Sequence, residues 1–414
     1  FVKKYFMEKY SSKQLIEIDS RYGAHNYHPL PVVLERGEGI YVWDVEGKKY
    51  YDFLSAYSAV NQGHCNPRIV NAMIEQVKTL TLTSRAFYSK ALCLFTQYIT
   101  NLFGYDKVLM MNSGAEAVET SLKLARKWAY EVKGISQYDA KIITCNNNFH
   151  GRTITIISFS TDPDAYTGYG PFTPGFVQIP YNDVQALEEA LKDPNVVAFL
   201  VEPIQGEAGV VVPDEGYLKK CYDLCKKNNV LFIADEIQTG LARTGKMLAC
   251  DYEDVRPDIL VLGKALSGGM MPISAVLADD EIMLTIKPGQ HGSTFGGNPL
   301  ACIVAKEALE VIVDDKLADN AGKLGEIFRT ELKKLQKEFD VLEIVRGKGL
   351  LNAIVIKPKN GKEAWDLCLK MAEYGLLAKP THQHIIRLAP PLIINENQIL
   401  ESIDIIKRAL KDTF

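Results

Sequence analysis

Short, nearly continuous apolar runs recur through the middle of the chain, and helical patterns separate them. "KVLMMN" (107–112), "AKIITCN" (140–146), "VVAFLVEP" (196–203), "VLFIADE" (230–236) and "DILVLGK" (258–264) each read as a short buried strand. A helix is predicted from about residue 114, and "GYLKKCYDLCKKNN" (216–229) predicts another. Strands apolar on both faces, alternating with helices, predict a mostly parallel sheet covered on each side. Residues 36–54 read instead as a hairpin with its turn at Glu46-Gly47.

Past "GGNPLA" (296–301) the pattern changes. Helices are predicted near 299–313, 317–338 and 361–374 and at the end of the chain. Between them lie "EIVRGKGLLNAIVI" (343–356) and "HIIRLAPPLII" (384–394). The expected organisation is an N-terminal segment 1–45 packing with the small domain and a dimer partner, a large domain 46–298 and a small α+β domain 299–414. The 414-residue length agrees with more than one core.

Hydrophobic residues make up 47% and charged residues 24%, which is globular composition. Formal net charge is −4 with no basic stripe, so no nucleic-acid partner is expected. No apolar run reaches the roughly 18–20 residues that span a bilayer, so no membrane association is expected. The eight cysteines are scattered without a CxxC, which suits a reducing compartment, cytoplasm or mitochondrial matrix. The seven histidines form no HExxH, and no metal site is expected.

In open parallel sheets, functional groups gather at the carboxyl ends of the strands. Those ends carry Glu202, Asp235 and Lys264, and "KVLMMN" runs into Ser113, Gly114 and Ala115 at a helix start. Ser113 and Glu116 have capping-box spacing. Alone, Lys264 reads as a strand cap at the surface and Glu202 as a tie between strand and loop. Together the set matches the needs of pyridoxal phosphate. A lysine can condense with its aldehyde, an aspartate can pair with its ring nitrogen, and a helix N-terminus can hold its phosphate. A desolvated lysine loses basicity, which makes its amine reactive near neutral pH.

The stretch 231–276, with Lys264 following Asp235 by 29 residues, resembles the class III aminotransferase signature. "NSGAEAVETSLKLARKW", "VEPIQGEAGVVVP" and "HGSTFGGNPLA" resemble its other blocks. The front block "YGAHNYHPLPVVLERGEGIYVWDVEGKKYYDFLSAYSAVNQGHCNP" is similar to the ornithine δ-aminotransferase branch of that family. The resemblance implies a fold type I α/β enzyme with a seven-stranded sheet, working as a homodimer with shared active sites. It implies ping-pong transfer of the δ-amine of L-ornithine to 2-oxoglutarate, giving glutamate-5-semialdehyde, which cyclises to pyrroline-5-carboxylate, and glutamate.

The resemblance further implies residue roles. Lys264 would be the Schiff-base lysine and proton shuttle, and Asp235 would bind the ring nitrogen. Gln238 would bond the ring hydroxyl, with Phe149 and Ile237 on opposite ring faces and His150 beside Phe149. Ser113, Gly114 and Ala115 would hold the phosphate, and Ser293 and Thr294 would reach the phosphate of the neighbouring subunit. Tyr27 and Arg152 would grip the amino-acid head of ornithine, and Tyr57 would select ornithine over related amines. Arg387 would bind the second carboxylate of 2-oxoglutarate, with Glu207 covering it in the first half-reaction. Two positions depart from the family pattern: His150 stands where another aromatic, often Trp, is usual, and Ser113 where several relatives have Thr. The sequence keeps N-acetylornithine or 4-aminobutyrate as alternative donors, and non-catalytic phosphate or nucleotide binding as a reading from another class.

Overall fold

The computed structural model describes residues 9–414; residues 1–8 of the expected N-terminal segment lie outside the described residues. A seven-stranded central sheet forms the middle of the large unit, in spatial order Lys107–Met111, Ser274–Ala278, Ile259–Leu262, Leu231–Asp235, Val196–Val201, Lys141–Cys145 and Phe176–Ile179. Ser274–Ala278 runs antiparallel to both its neighbours, and the other pairings are parallel. The five predicted strands are present. The pattern of apolar runs missed Phe176–Ile179 and Ser274–Ala278: the first is interrupted by Gln178, and the second follows a glycine-rich loop.

Every residue of Val196–Val201, Leu231–Asp235 and Ile259–Leu262 is buried. This is the physical content of their unbroken apolar runs. Helix Gly114–Trp128 turns Val118, Leu122 and Ala125 onto one face of the sheet, and helix Tyr217–Lys227 turns Leu218, Cys221 and Cys225 onto the other. The Cys221–Cys225 spacing is thus a core stripe, and all eight cysteines are free thiols.

The predicted hairpin at 36–54 is Tyr41–Asp44 against Lys49–Asp52, flanked by Leu34–Glu38 and by Leu376–Leu377 from the far end of the chain. A second four-stranded antiparallel sheet orders Leu342–Lys348, Leu351–Ile356, Ile385–Leu388 and Lys379–Thr381. Helices Leu317–Glu338, Ala364–Glu373 and Glu396–Thr413 accompany it. Helix Pro299–Asp314 begins at an Asn298 N-cap and packs on helices Pro67–Val77 and Lys90–Phe103. One apolar core runs from Phe53, Phe95 and Leu266 through Val304 to Phe328, Leu367 and Ile406, crossing the sequence boundary at 298/299 without a gap.

At that junction sits Arg243, a guanidinium with no exposed surface. It donates to Asn61 Oδ1, to the Leu350 carbonyl at 3.0 Å and to the Pro390 carbonyl at 2.6 Å. Gly349 makes the approach possible, since a Cβ there would lie 2.2 Å from the Thr244 carbonyl carbon. Burial without a touching carboxylate pushes the guanidinium down to about 9. Truncating it strands three buried acceptors, each costing about 1–3 kcal/mol. Arg243→Met is therefore expected to lower the urea midpoint of unfolding by the equivalent of at least about 3 kcal/mol, and an unchanged midpoint would show that the clasp contributes nothing.

Candidate active site

The carboxyl ends of the central strands open into a cavity of about 200 Å³ lined by Gly114, Ala115, Phe149, His150, Gly151, Glu202, Ile204, Glu207, Asp235, Ile237, Gln238, Thr239 and Lys264. Asp235 ends its strand there. Lys264 follows Gly263 one residue beyond the next strand and takes a left-handed backbone (φ +43°), a rare state for a side-chain-bearing residue. A second cavity, of about 340 Å³, shares Gly114 and Lys264 and adds Ser113 and Met270.

Opposed charges surround the half-buried Lys264 amine. Burial pushes Lys264 below its ordinary range, against the pull of Glu207. Burial would lower the His150 imidazole too, but the hydrogen bond it donates to Asp235 and the charges of Asp235 and Glu202 hold it above its usual value. His150 Nδ1 lies 2.6 Å from Asp235 Oδ2. Its Nε2 is buried without a partner. Burial pushes the Glu202 carboxyl up to about 7. Glu202 accepts from the Phe149 N–H at 3.0 Å and the Gly206 N–H at 3.4 Å, which ties two loops to one strand end.

Helix Gly114–Trp128 starts beside this floor. The capping box forms: Ser113 Oγ accepts from the Glu116 N–H, and Glu116 accepts from the Ser113 N–H. First-turn N–H groups of a helix have no intrahelical partner. Those of Gly114 and Ala115 sit at the cavity wall. A Cβ on Gly114 would lie 3.0 Å from Ile237 Cδ1, and one on Gly206 only 1.4 Å from Gln238 Oε1, so backbone and side chains approach as closely as glycine allows.

Above the floor, Arg387 Nη1 donates to Glu207 Oε1 at 2.5 Å. Arg387 is almost fully buried, and its Cζ lies 4.9 Å from the centre of the Tyr57 ring. Burial would raise the Glu207 carboxyl, but the charges of Arg387 and Lys264 hold it below its ordinary value. Arg152 is exposed at the rim, with its guanidinium 5.7 Å from the Phe149 ring. Tyr27, 64% exposed, is close enough for its charge to bear on Tyr57. Ser293 and Thr294 lie outside the Lys264 cavity: Ser293 accepts from Asn112 Nδ2 at 2.7 Å and lines a separate outer cavity.

Gln238 donates through Nε2 to the Tyr57 carbonyl at 3.3 Å. Sequence reasoning missed what this bond reveals, a left-handed turn over Ser55–Ser58, with φ of +48°, +46°, +59° and +74° and no glycine to announce it. Each such residue costs roughly 1–2 kcal/mol. Thr239 and Gly151 as lining residues were missed as well.

The aminotransferase class-III model matches residues 22–410. The chain belongs to the class III aminotransferases. Within this family it is 64% identical to the mitochondrial ornithine aminotransferase of Rattus norvegicus, over 97% of this chain and 91% of that one. It is 56% identical to the ornithine aminotransferase of Plasmodium falciparum, over 97% of each chain. The crystal structure of the Toxoplasma gondii ME49 ornithine aminotransferase superposes with a TM-score of 0.97 at 50% identity, covering 99% of this chain and 97% of that one. The acetylornithine aminotransferase of Elizabethkingia anophelis superposes with a TM-score of 0.90 at 61% identity, over 97% of this chain and all of that one. The fold is that of these pyridoxal-phosphate enzymes.

The residues present fit the cofactor of this aminotransferase family. Two apolar side chains, Phe149 and Ile237, line a cavity that holds one half-buried lysine, one strand-end aspartate and an open helix start. Among the described residues no group of His, Cys, Asp and Glu could hold a metal. The Glu207–Arg387 pair yields a pH test. The folded Glu207 lies below the ordinary 4.5, so its contribution to stability is complete above that value and is lost as pH falls through the folded pKa. Glu207→Gln is expected to flatten the acid limb of Tm against pH below about 4.5; parallel limbs in calorimetry would show that the pair carries no net stability.

Proposed function

We propose that the chain transfers the δ-amino group of L-ornithine to 2-oxoglutarate by a ping-pong cycle, with pyridoxal phosphate as cofactor. The observation that carries this reading is the half-buried Lys264, which shares one cavity with Asp235 and with Glu207, the partner of Arg387. Bound pyridoxal phosphate supplies an aldehyde that condenses with amines and a ring that accepts the electrons released at the carbon losing a proton. This chain's residues hold the ring, set its charge and move that proton.

Lys264 is the base and acid. Its depressed pKa lets the free amine take a proton from the substrate carbon and return it to the other reacting carbon. Asp235 meets the ring nitrogen and is itself held by His150. The expectation that His150 acts mainly as a neighbour of Phe149 thus gains a second element: its Nδ1 faces the carboxylate of Asp235. Gln238 reaches the ring hydroxyl, and the N–H groups at 114–115 with Ser113 take the phosphate. Phe149 and Ile237 supply apolar faces for the ring, and Glu202 stiffens the loop that carries Phe149.

Two substrates share the site in turn. Ornithine has one carboxylate and two amines; Arg152 and Tyr27 hold its head at the rim while Glu207 keeps Arg387 occupied. 2-Oxoglutarate has two carboxylates and needs a second cation, which Arg387 becomes once Glu207 lets go. A planar guanidinium suits this exchange because its fork can meet a carboxylate with two parallel bonds, whereas Glu207 takes only one and leaves Arg387 Nε without a partner. Tyr57, stacked on Arg387, borders both arrangements.

The assembly we propose is a homodimer in which Ser293 and Thr294 complete the partner's phosphate site. Phe87 and Tyr88 are 68% and 95% exposed, and Tyr88 lines an outer cavity of about 540 Å³ with Arg85, His291 and Ser293. The proposed compartment is the mitochondrial matrix, supported by the naming of the rat and fruit-fly relatives as mitochondrial and by the eight free thiols. No helix among the described residues is long and apolar enough to cross a membrane.

Purified protein loaded with pyridoxal phosphate is expected to be yellow and to bleach with L-ornithine at far lower concentration than with N-acetylornithine or 4-aminobutyrate. Preference for N-acetylornithine would move the assignment to the activity named for the Elizabethkingia enzyme. Protein that stays colourless would favour phosphate or nucleotide binding without catalysis. Lys264→Ala is expected to lose turnover by about a millionfold, and near-normal turnover would remove Lys264 from the mechanism. Sedimentation is expected to give a dimer that Tyr88→Asp weakens, with faster cofactor loss on dialysis; a fully active monomer would reject the shared site.

A further inference from the structure

We propose that Asp52 and His64 are positioning residues for Tyr57 and so set the choice of amine donor without touching the donor. The inference rests on the assignment of Tyr57 to the substrate site.

Tyr57 sits inside the run of four left-handed residues, Ser55–Ser58. Something outside the run has to hold it, because left-handed backbone is unfavourable for residues with a Cβ. Its own hydroxyls do not: Ser55 Oγ and Ser58 Oγ are buried and have no hydrogen-bond partner. Asp52 does. Its Oδ1 accepts from the Leu54 N–H at 2.9 Å and from the Ser55 N–H at 2.8 Å, at the point where the chain enters the turn. The other oxygen, Oδ2, lies 2.7 Å from His64 Nε2. Asp52 is therefore fixed from both sides and is 8% exposed.

His64 is fixed in its turn. It exchanges two backbone hydrogen bonds with Gly39, at 2.7 and 3.0 Å. Its ring lies on Gly37, where a Cβ would come within 2.9 Å of ring atoms. A rigid line thus runs from the strand Leu34–Glu38 through His64 and Asp52 to the turn. The turn presents the Tyr57 ring to Arg387 and the Tyr57 carbonyl to Gln238. If Asp52 lets go, the run can relax toward ordinary right-handed or extended backbone, and the ring leaves its place over Arg387. The Asp235 carboxylate is held apart from that line, by His150 and by the Ile237 N–H.

The test is the ratio of kcat/KM for L-ornithine to kcat/KM for 4-aminobutyrate, measured on the cofactor-loaded enzyme. Asp52→Ala is expected to lower the ratio at least about tenfold, while the protein still retains its cofactor on dialysis. Asp52→Asn keeps an oxygen for both N–H groups and is expected to hold the ratio within about threefold. Adding Ala56→Gly to Asp52→Ala is expected to recover much of the ratio, because glycine adopts the left-handed state without strain. A general loss of stability would not be repaired in that way. Should Asp52→Ala fail to fold, His64→Ala is expected to shift the ratio in the same direction. Tyr57→Ile separates the two layers of the argument. If it leaves the ratio unchanged, the assignment of Tyr57 fails. If it changes the ratio while Asp52→Ala, or in its place His64→Ala, does not, the positioning role is overturned and the assignment stands.

Discussion

A primary amine sits half-buried among protein atoms just past the end of a strand whose every residue is buried, and the surrounding groups answer to that placement. An isolated ammonium there would carry a large desolvation cost, so the amine gives up basicity and the neighbouring carboxylates of Glu207, Asp235 and Glu202 attract whatever positive charge remains. Those carboxylates have costs of their own. Glu207 is met by Arg387, Asp235 by His150, and Glu202 by two backbone N–H groups. The charges of the cavity are paired in part, with His150 Nε2 and Arg387 Nε left without partners. In the proposed cycle, a substrate carboxylate takes the place of Glu207 at Arg387 by doing the same job.

Much of this was legible in the sequence because the chemistry stands where apolar runs stop. An unbroken run such as "VLFIAD" or "DILVLGK" fixes both the strand and the place of its last polar residue, so Asp235, Lys264 and Glu202 could be located from pattern alone. The capping box at Ser113 and Glu116 is a local signal and forms as spaced. Pattern fails where the determining contact is distant. His150 and Asp235 are 85 positions apart, and nothing near either announces the bond between them. Arg243 lies in "LARTGK", which reads as an exposed loop, yet it is fully buried because acceptors from three far-off segments surround it.

The left-handed turn at Ser55–Ser58 is illegible for another reason. Local propensity is overruled there, since Ser, Ala, Tyr and Ser have no preference for that backbone, and the force comes from Asp52 and from the burial of the whole segment. Such conflicts between local preference and native conformation gather at functional positions. Lys264, with its own left-handed φ, is a second instance in the same site. The short strand Ser274–Ala278 was hidden behind a glycine-rich loop, although it is the strand that joins Lys107–Met111, which leads to the helix start at Gly114, to the lysine strand on its other side.

The Arg243 clasp has a bearing on how the chain is born. Its acceptors come from Asn61, Leu350 and Pro390, so a nascent polypeptide still on the ribosome has the guanidinium long before it has the last carbonyl. Synthesis at about 5–20 residues per second leaves that cation solvated for many seconds. The loop after Asp235 can settle only once Leu350 and Pro390 have been made, so segments far downstream of the central sheet decide when this part of the fold takes shape.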